Sequence, residues 1–415
     1  MLESNRREGS YTVPSEDLYP FQWNWDSAFI AVGLAKERPE KAEKELESLV
    51  EAQWDNGMIP QIIFWQEAGG YFPGPGEWQI ERDGVKTSGI TQPPVAVHAV
   101  TELYRETGEE SVLEKFAGPM ERYLEWWREE RSIDDLVYVR HPWETGMDDS
   151  PAWEPVMEDI EPGSPDYERE DLQLEDAEDE RPGDWDYDRY VYLLRQAREN
   201  DWDENTLREL SPFRVADVLT NSIFVRACRE LSYIHRQLGN TRKEREWRRK
   251  AEETAEAIRD RLWESELRNF VSYDFAAGRK LRENTVAGLA SLYGGIPDAD
   301  QEEKLLQNME KNFMEHRYGC ATYSGEEQDL DRYWRGPVWI NTNWLVSEGL
   351  DYRGHETKAE RIREQSIELI EENGFSEYFN PESAEPRGSD RFSWTAALYL
   401  YWLDESYTSS SMSTQ

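Results

Sequence analysis

Residues 214–264 read RVADVLTNSIFVRACRELSYIHRQLGNTRKEREWRRKAEETAEAIRDRLWE. Two long helical runs, Arg214–Leu238 and Thr241–Glu264, are separated by no more than Gly239-Asn240. So short a break turns the second run back along the first, because Gly and Asn accept the left-handed backbone at a helix end. Helical patterns recur outward from this hairpin at Arg38–Trp54, Pro93–Thr107, Glu110–Glu130, Asp188–Glu199, Thr285–Leu292, Gln301–Glu315, Trp339–Tyr352, His355–Glu372 and Phe392–Leu403. Other connections are long and rich in Trp, Gly and Pro, notably Asn56–Gln92 and Arg140–Tyr187. Helical hairpins with short loops at one end and long loops at the other predict an all-α fold. The expected architecture is an (α/α)6 barrel, a six-hairpin toroid, with function concentrated on the long-loop face.

The chain has 415 residues, and a single barrel domain over 1–415 is expected. Phe270–Tyr273 reads as a brief extended excursion. Glu158–Asp188 is strongly acidic and, within a region near 155–187, is expected to form a surface loop; a disordered tail is expected near 406–415. Formal net charge is -40, from 87 acidic and 47 basic residues. Such a field repels phosphates, so neither nucleic acid nor an anionic membrane surface is an expected partner. Mean hydropathy is -0.89, yet 18 Trp, 21 Tyr and 13 Phe spread along the chain predict a folded core under an acidic surface. Arginine outnumbers lysine, a balance that fits a surface kept soluble in molar salt. Cys228 and Cys320 lack CxxC spacing and are expected to be reduced core residues, with no metal and no cofactor implied. The N-terminus lacks an apolar targeting core, and no apolar run reaches about 18 residues, so a soluble, cytoplasmic protein is expected. The oligomeric state is left open.

Chemistry gathers in four places. LYPFQWNWDSAF carries Trp23, Trp25 and Asp26 just before a helix, with Asp26 at a plausible N-cap. QWDNGMIPQIIFW and SGITQPP offer Trp54, Asp55, Gln61 and Gln92 as groups that stack on or hydrogen-bond to a sugar. HPWETGMDDSP places Asp148 and Asp149 after a glycine turn, bracketed by Trp143 and Trp153. A carboxyl beside indole rings loses hydration, so it holds its proton to higher pH, as a general acid must. Glu144 in the same segment is expected to bind a ring hydroxyl or anchor the loop. Finally, DRYWRGPVWINTNW supplies Trp334, Arg335 and Trp339 as a pocket wall, and GFSEYFNPES sets Glu377 between aromatics. Two carboxylates in aromatic, turn-rich segments are what glycoside hydrolysis requires.

These segments resemble the clan of (α/α)6-barrel glycosidases that includes family 63 processing α-glucosidases and trehalases, and especially the mannosylglycerate and glucosylglycerate hydrolases. The pieces that carry the resemblance are FQWNWDSAF, QWDNGMIPQ, SGITQPPV, HPWETGMDDSP, RPGDWDYDRYVYLL, YWRGPVWINTNW, GFSEYFNP and FSWTAALYL, in that order. They run from about Phe21 to Leu400. The resemblance implies an inverting enzyme with Asp148 as general acid and Glu377 as general base. An inverting pair stands about 6.5–9.5 Å apart to admit the attacking water. It also implies sugar binding by Trp23, Trp25, Asp26, Gln92, Trp143, Trp334 and Arg335. The family's usual ESGMDNSP stands here as ETGMDDSP, so a second carboxylate, Asp149, lies beside the implied acid. A glycerate-bearing substrate is an anion and needs a local cation in so acidic a molecule; Arg335, Arg391, Lys86 and Arg387 are the candidates. A neutral gluco-oligosaccharide or trehalose hydrolase and a non-catalytic sugar-binding toroid are the rival expectations.

Overall fold

In the computed structural model, which describes residues 1–7, 10–66, 71–169 and 180–412, helices dominate. They begin with α1 (Asn24–Leu34) and α2 (Pro39–Glu51), then α3 (Ala96–Thr107) and α4 (Glu110–Glu130). α5 (Asp184–Glu199) lies in the long connection that precedes α6 (Val218–Gln237) and α7 (Thr241–Arg261). α8 (Ala299–Asn308), α9 (Ile340–Tyr352), α10 (Glu356–Asn373) and α11 (Ser393–Met412) complete the order.

The barrel is closed by an inner ring. α1 packs on α3, α3 on α6, α6 on the short helix Ser291–Gly294, that helix on α9, α9 on α11, and α11 back on α1. The outer helices α2, α4, α7 and α10 each pack on the inner helix that precedes them. The two layers differ in sequence as their burial demands. α1 is buried along its entire length, and its run NWDSAFIAVGL has one charged residue. α7 buries only Trp247, Ala251, Thr254, Ala255 and Ile258, one stripe at helical spacing, and turns its charged residues outward. Where α1 crosses α11 the backbones nearly touch: a Cβ on Gly33 would lie 2.0 Å from the Ala397 carbonyl oxygen.

Connections from inner to outer helices take two to four residues, whereas those from outer to inner cover 52–95, 131–217, 262–290, 314–339 and 374–392. The long connections therefore gather at the N-terminal ends of the inner helices. Short antiparallel strands stiffen them. Gln22–Trp23, Ile62–Phe64, Val85–Thr87 and Glu81–Arg82 form one four-stranded sheet in that spatial order. Under it, Phe21, Trp23, Phe64, Trp78 and Leu194 form a satellite core that ties α5 to the sheet.

Several expected boundaries move. α1 starts at Asn24, so Asp26 sits in its first turn and caps nothing. Pro93–Val95 precede α3 instead of opening it, because residues before the helix still follow the loop. The 285–292 run is a 3-10 turn (Val286–Gly288) followed by Ser291–Gly294, and α8 gives way to a π-turn at Met309–Phe313. The extended excursion is confirmed as the strands Asn269–Phe270 and Ser272–Asp274. The expected acidic loop is helical at Glu154–Glu158 and again from Asp184, while residues 170–179 lie outside the described residues. α11 continues to Met412, through most of the expected tail; residues 413–415 lie outside the described residues. Among the described residues no helix is long and apolar enough to cross a membrane.

Candidate active site

The N-terminal segment, the start of α1 and four of the long connections enclose one cavity. Its walls are aromatic. Trp334 and Trp339 stack in parallel with ring centroids 3.8 Å apart, and Trp339 stacks in turn on Tyr378 at 4.7 Å. Trp23, Trp25, Trp143 and Trp394 line other sides. Parallel stacking leaves flat apolar faces, the surface on which the C–H face of a sugar ring rests. Polar side chains interrupt these faces: Gln61, Gln92 and three carboxyl groups, Asp26, Asp148 and Glu377. Gln92 Oε1 accepts the Trp25 N–H at 3.2 Å, and Gln61 Nε2 donates to the Trp143 carbonyl at 3.3 Å. Both amides are thereby oriented before any ligand arrives. Burial, reinforced by the charge of Glu377, pushes the Asp26 carboxyl well up.

The turn that carries Asp148 is built from its own sequence. His141 Nδ1 accepts the Trp143 N–H at 3.0 Å while its Nε2 faces the Tyr190 carbonyl at 3.0 Å. Burial pushes His141 down to about 4, so the ring is neutral and bridges the two backbones. Glu144 accepts both terminal nitrogens of Arg131, at 3.0 and 3.1 Å, and the Arg140 N–H at 2.6 Å. Burial would raise that carboxyl, but Arg131 and Arg140 hold it below its usual range. Gly146 follows at φ +74°, with the Trp25 ring 2.3 Å from where a Cβ would stand. Only glycine lets the acid turn lie this close to the indole.

Asp148 and Glu377 meet different surroundings. Asp148 is pushed up to about 7, first by burial and then by the charge of Asp149, with Glu377 adding to it and Arg181 opposing. Tyr190 donates its hydroxyl to the Asp148 carbonyl at 2.7 Å and steadies the turn from behind. Glu377 is also raised by burial, but three donors converge on its carboxylate: Tyr19 Oη at 3.0 Å, Arg181 Nη2 at 3.0 Å and the Ser389 N–H at 2.9 Å. Donors of that kind favour the ionised form. Burial thus raises both carboxyl groups, while the donors that favour a charged form are gathered on Glu377.

Most of the expected site residues come together here: Trp23, Trp25, Asp26, Gln92, Trp143, Asp148, Trp334 and Glu377 all line the cavity. Two do not. Arg335 is engaged behind the wall, with Nε 3.2 Å from Asp149 and Nη1 2.6 Å from Glu154, and Glu144 is consumed by Arg131. Both are corrections to a substrate-binding role, since a buried charge satisfies its nearest partner before any ligand. Trp54 is likewise spent, donating Nε1–H to Thr87 with Arg82 over its ring. Of the expected cations, Arg387 pairs with Asp331, and neither Lys86 nor Arg391 reaches the cavity wall. The cation in that wall is Arg181. Sequence reasoning passed over it because it follows an acidic run and opens RPGDWDYD, where it reads as a surface charge. Tyr19 and Tyr333 were also missed. Tyr333 stands at φ +33°, a left-handed conformation that costs a non-glycine residue about 1–2 kcal/mol. Among the described residues no group of His, Cys, Asp and Glu side chains gathers as a metal would require.

A closed ring of paired helices, with one aromatic-walled cavity holding two differently poised carboxyl groups, defines a glycoside hydrolase of the (α/α)6 class. Comparison with known proteins is more specific. Residues 19–395 match the mannosylglycerate hydrolase MGH1-like glycoside hydrolase domain, and the chain belongs to that family. It is 39% identical to a mannosylglycerate hydrolase of Rubrobacter radiotolerans, over 94% of this chain and 92% of that one. It is 35% identical to a glucosylglycerate hydrolase of Mycolicibacterium hassiacum, over 95% and 94%. The crystal structure of the family 63 mannosylglycerate hydrolase of Thermus thermophilus, in complex with Tris and D-glycerate, superposes with a TM-score of 0.92 at 36% identity, covering 97% of this chain and 98% of that one.

Proposed function

We propose that the protein is an inverting hydrolase of a small α-glycoside of glycerate, glucosylglycerate or mannosylglycerate. Asp148 gives its proton to the glycosidic oxygen as that bond breaks, and glycerate leaves. Glu377 takes a proton from a water that adds to the anomeric carbon from the opposite face. Each turnover leaves Asp148 ionised and Glu377 protonated, and solvent returns both to their starting forms. The observation that carries this reading is that Asp148, Glu377 and Arg181 line one cavity, with Arg181 bound to Glu377. A substrate carboxylate entering a molecule of net charge -40 needs such a partner. The relatives that act on glycerate glycosides span nearly the whole chain, which further supports the assignment.

A salt-rich, cytoplasmic setting and a role in turning over a compatible solute complete the reading. The acidic, arginine-biased composition supports the first. The free, buried Cys228 and Cys320 suit a reducing compartment.

The test is hydrolysis of glucosylglycerate, mannosylglycerate, trehalose, maltose and kojibiose in high KCl, with product anomers followed by NMR. Turnover of the glycerate compounds with an inverted first product is expected. Preference for a neutral disaccharide would overturn the substrate assignment, and a retained anomer would overturn the mechanism. Asp148→Asn and Glu377→Gln should each lower kcat by at least about 1,000-fold while the fold persists. Arg181→Met should lower kcat for every substrate, because Arg181 also donates to Glu377, and should raise KM for glycerate glycosides but not for neutral ones.

A further inference from the structure

Asp149 follows the acid directly yet lies outside the cavity wall. Its buried carboxylate accepts Arg332 Nε at 3.1 Å and Arg335 Nε at 3.2 Å. Those arginines flank Tyr333 and Trp334, both of which face the cavity. Arg335 reaches on to Glu154 at 2.6 Å, just past the acid turn, and to Glu327 at 3.8 Å. Arg332 reaches Asp186 at 3.9 Å, and Asp186 accepts the Gly183 N–H at 3.0 Å where α5 begins. One carboxylate therefore joins three segments, each of which places a residue in the wall: Asp148, the Tyr333-Trp334 pair, and Arg181 just before α5. Tyr333 has positive φ, and a conformation of that kind persists only where its surroundings impose it.

We propose that Asp149 is the positioning residue of this site: gripped by Arg332 and Arg335, it holds the acid turn in register with the Tyr333-Trp334 wall. The proposal rests on Asp148 being the acid. It carries an electrostatic consequence as well as a geometric one. Asp149 is faced by Arg332 and Arg335, by Asp186 from α5, and by Asp148 beside it; Arg335 is further shared with Glu154 and Glu327. The charge of Asp149 discourages ionisation of Asp148, and the two guanidinium groups relieve that effect. Asp149 itself is pushed up to about 6 by burial, with Arg335 and Arg332 opposing; those two guanidinium groups bind its ionised form directly.

The experiment measures kcat and KM for glucosylglycerate against pH in the wild type, D149N, R332Q and D148N, with thermal unfolding as the control for fold. D149N should lower kcat about tenfold with KM nearly unchanged, because the substrate contacts remain while the acid is misplaced. It should also move the basic limb of the profile to lower pH by about half a unit or more, and R332Q should move it to higher pH. Opposite shifts are what a general loss of packing would not produce. Should D149N not fold, R332Q carries the test, since Arg332 is partly exposed. Wild-type kcat and profile in D149N, or shifts of the same sign in both variants, would overturn the proposal. Activity retained by D148N but lost in D149N would overturn the acid assignment itself, a result distinct from failure of the positioning role.

Discussion

Asp148 and Asp149 are chemically identical neighbours with opposite surroundings. Asp148 lies in the cavity wall with no guanidinium bound to it among the described residues, whereas Asp149 is held by two. As the proposed acid Asp148 must carry a proton, and its carboxyl is pushed up to about 7, so kcat/KM should fall as pH rises through that range. The acidic limb belongs to Glu377, which as the proposed base must be charged; burial moves this limb above the usual carboxylate range, against the pull of three donors. A pH–rate profile measured at constant high salt checks both signs, and a profile still rising above pH about 8 would contradict the assignment of Asp148. Gly146 offers a second test at this scale. Gly146→Ala sets a methyl group against the Trp25 ring at a backbone angle alanine resists. A displacement of about 1 Å in the acid turn is enough to lower kcat about 100-fold, with the global fold retained by circular dichroism.

Elements are joined here by a few close contacts that tolerate little change. The crossing of α1 and α11 leaves no room at Gly33, so Gly33→Ala should destabilise the barrel by about 1–3 kcal/mol through overpacking. Chemical denaturation would read this as a lower midpoint at unchanged slope. The Arg131–Glu144 pair joins the end of α4 to the acid turn with both side chains fully buried. Glu144→Ala leaves Arg131 with Glu204 as its one carboxylate partner among the described residues and should cost about 3–5 kcal/mol. Because Glu144 also fixes the Arg140 backbone, activity should fall at temperatures where the variant is still folded, which an activity assay set beside the melting curve would show. The outer helices are more forgiving, since each presents a single buried stripe.

At the scale of the molecule, a charge of -40 opposes both compactness and the approach of an anionic substrate. Salt screens the first effect, so the thermal midpoint should rise between about 0.1 M and about 2 M KCl. An unchanged or falling midpoint would remove the basis for the salt-adapted reading. Arg181, in the cavity wall, opposes the second effect locally.

Consecutive residues sufficed for the class of fold and for the segments that carry chemistry. Helical periodicity, a two-residue break at Gly239-Asn240 and aromatic loops are local properties, and local properties are written in consecutive residues. The six-helix ring, the long-loop face and the tryptophan-rich segments that hold Asp148, Asp149 and Glu377 were legible in this way; the roles of Asp148 and Glu377 were implied by the family resemblance. Tertiary structure alone decided how the charges are shared. Arg335 goes to Asp149 across 186 positions of sequence, and Arg181 goes to Glu377 across 196. No local pattern shows which guanidinium meets which carboxylate, because each buried charge pairs with whatever the closed barrel brings within about 3–4 Å. The same closure took Glu144 out of the wall and set Arg181 in it.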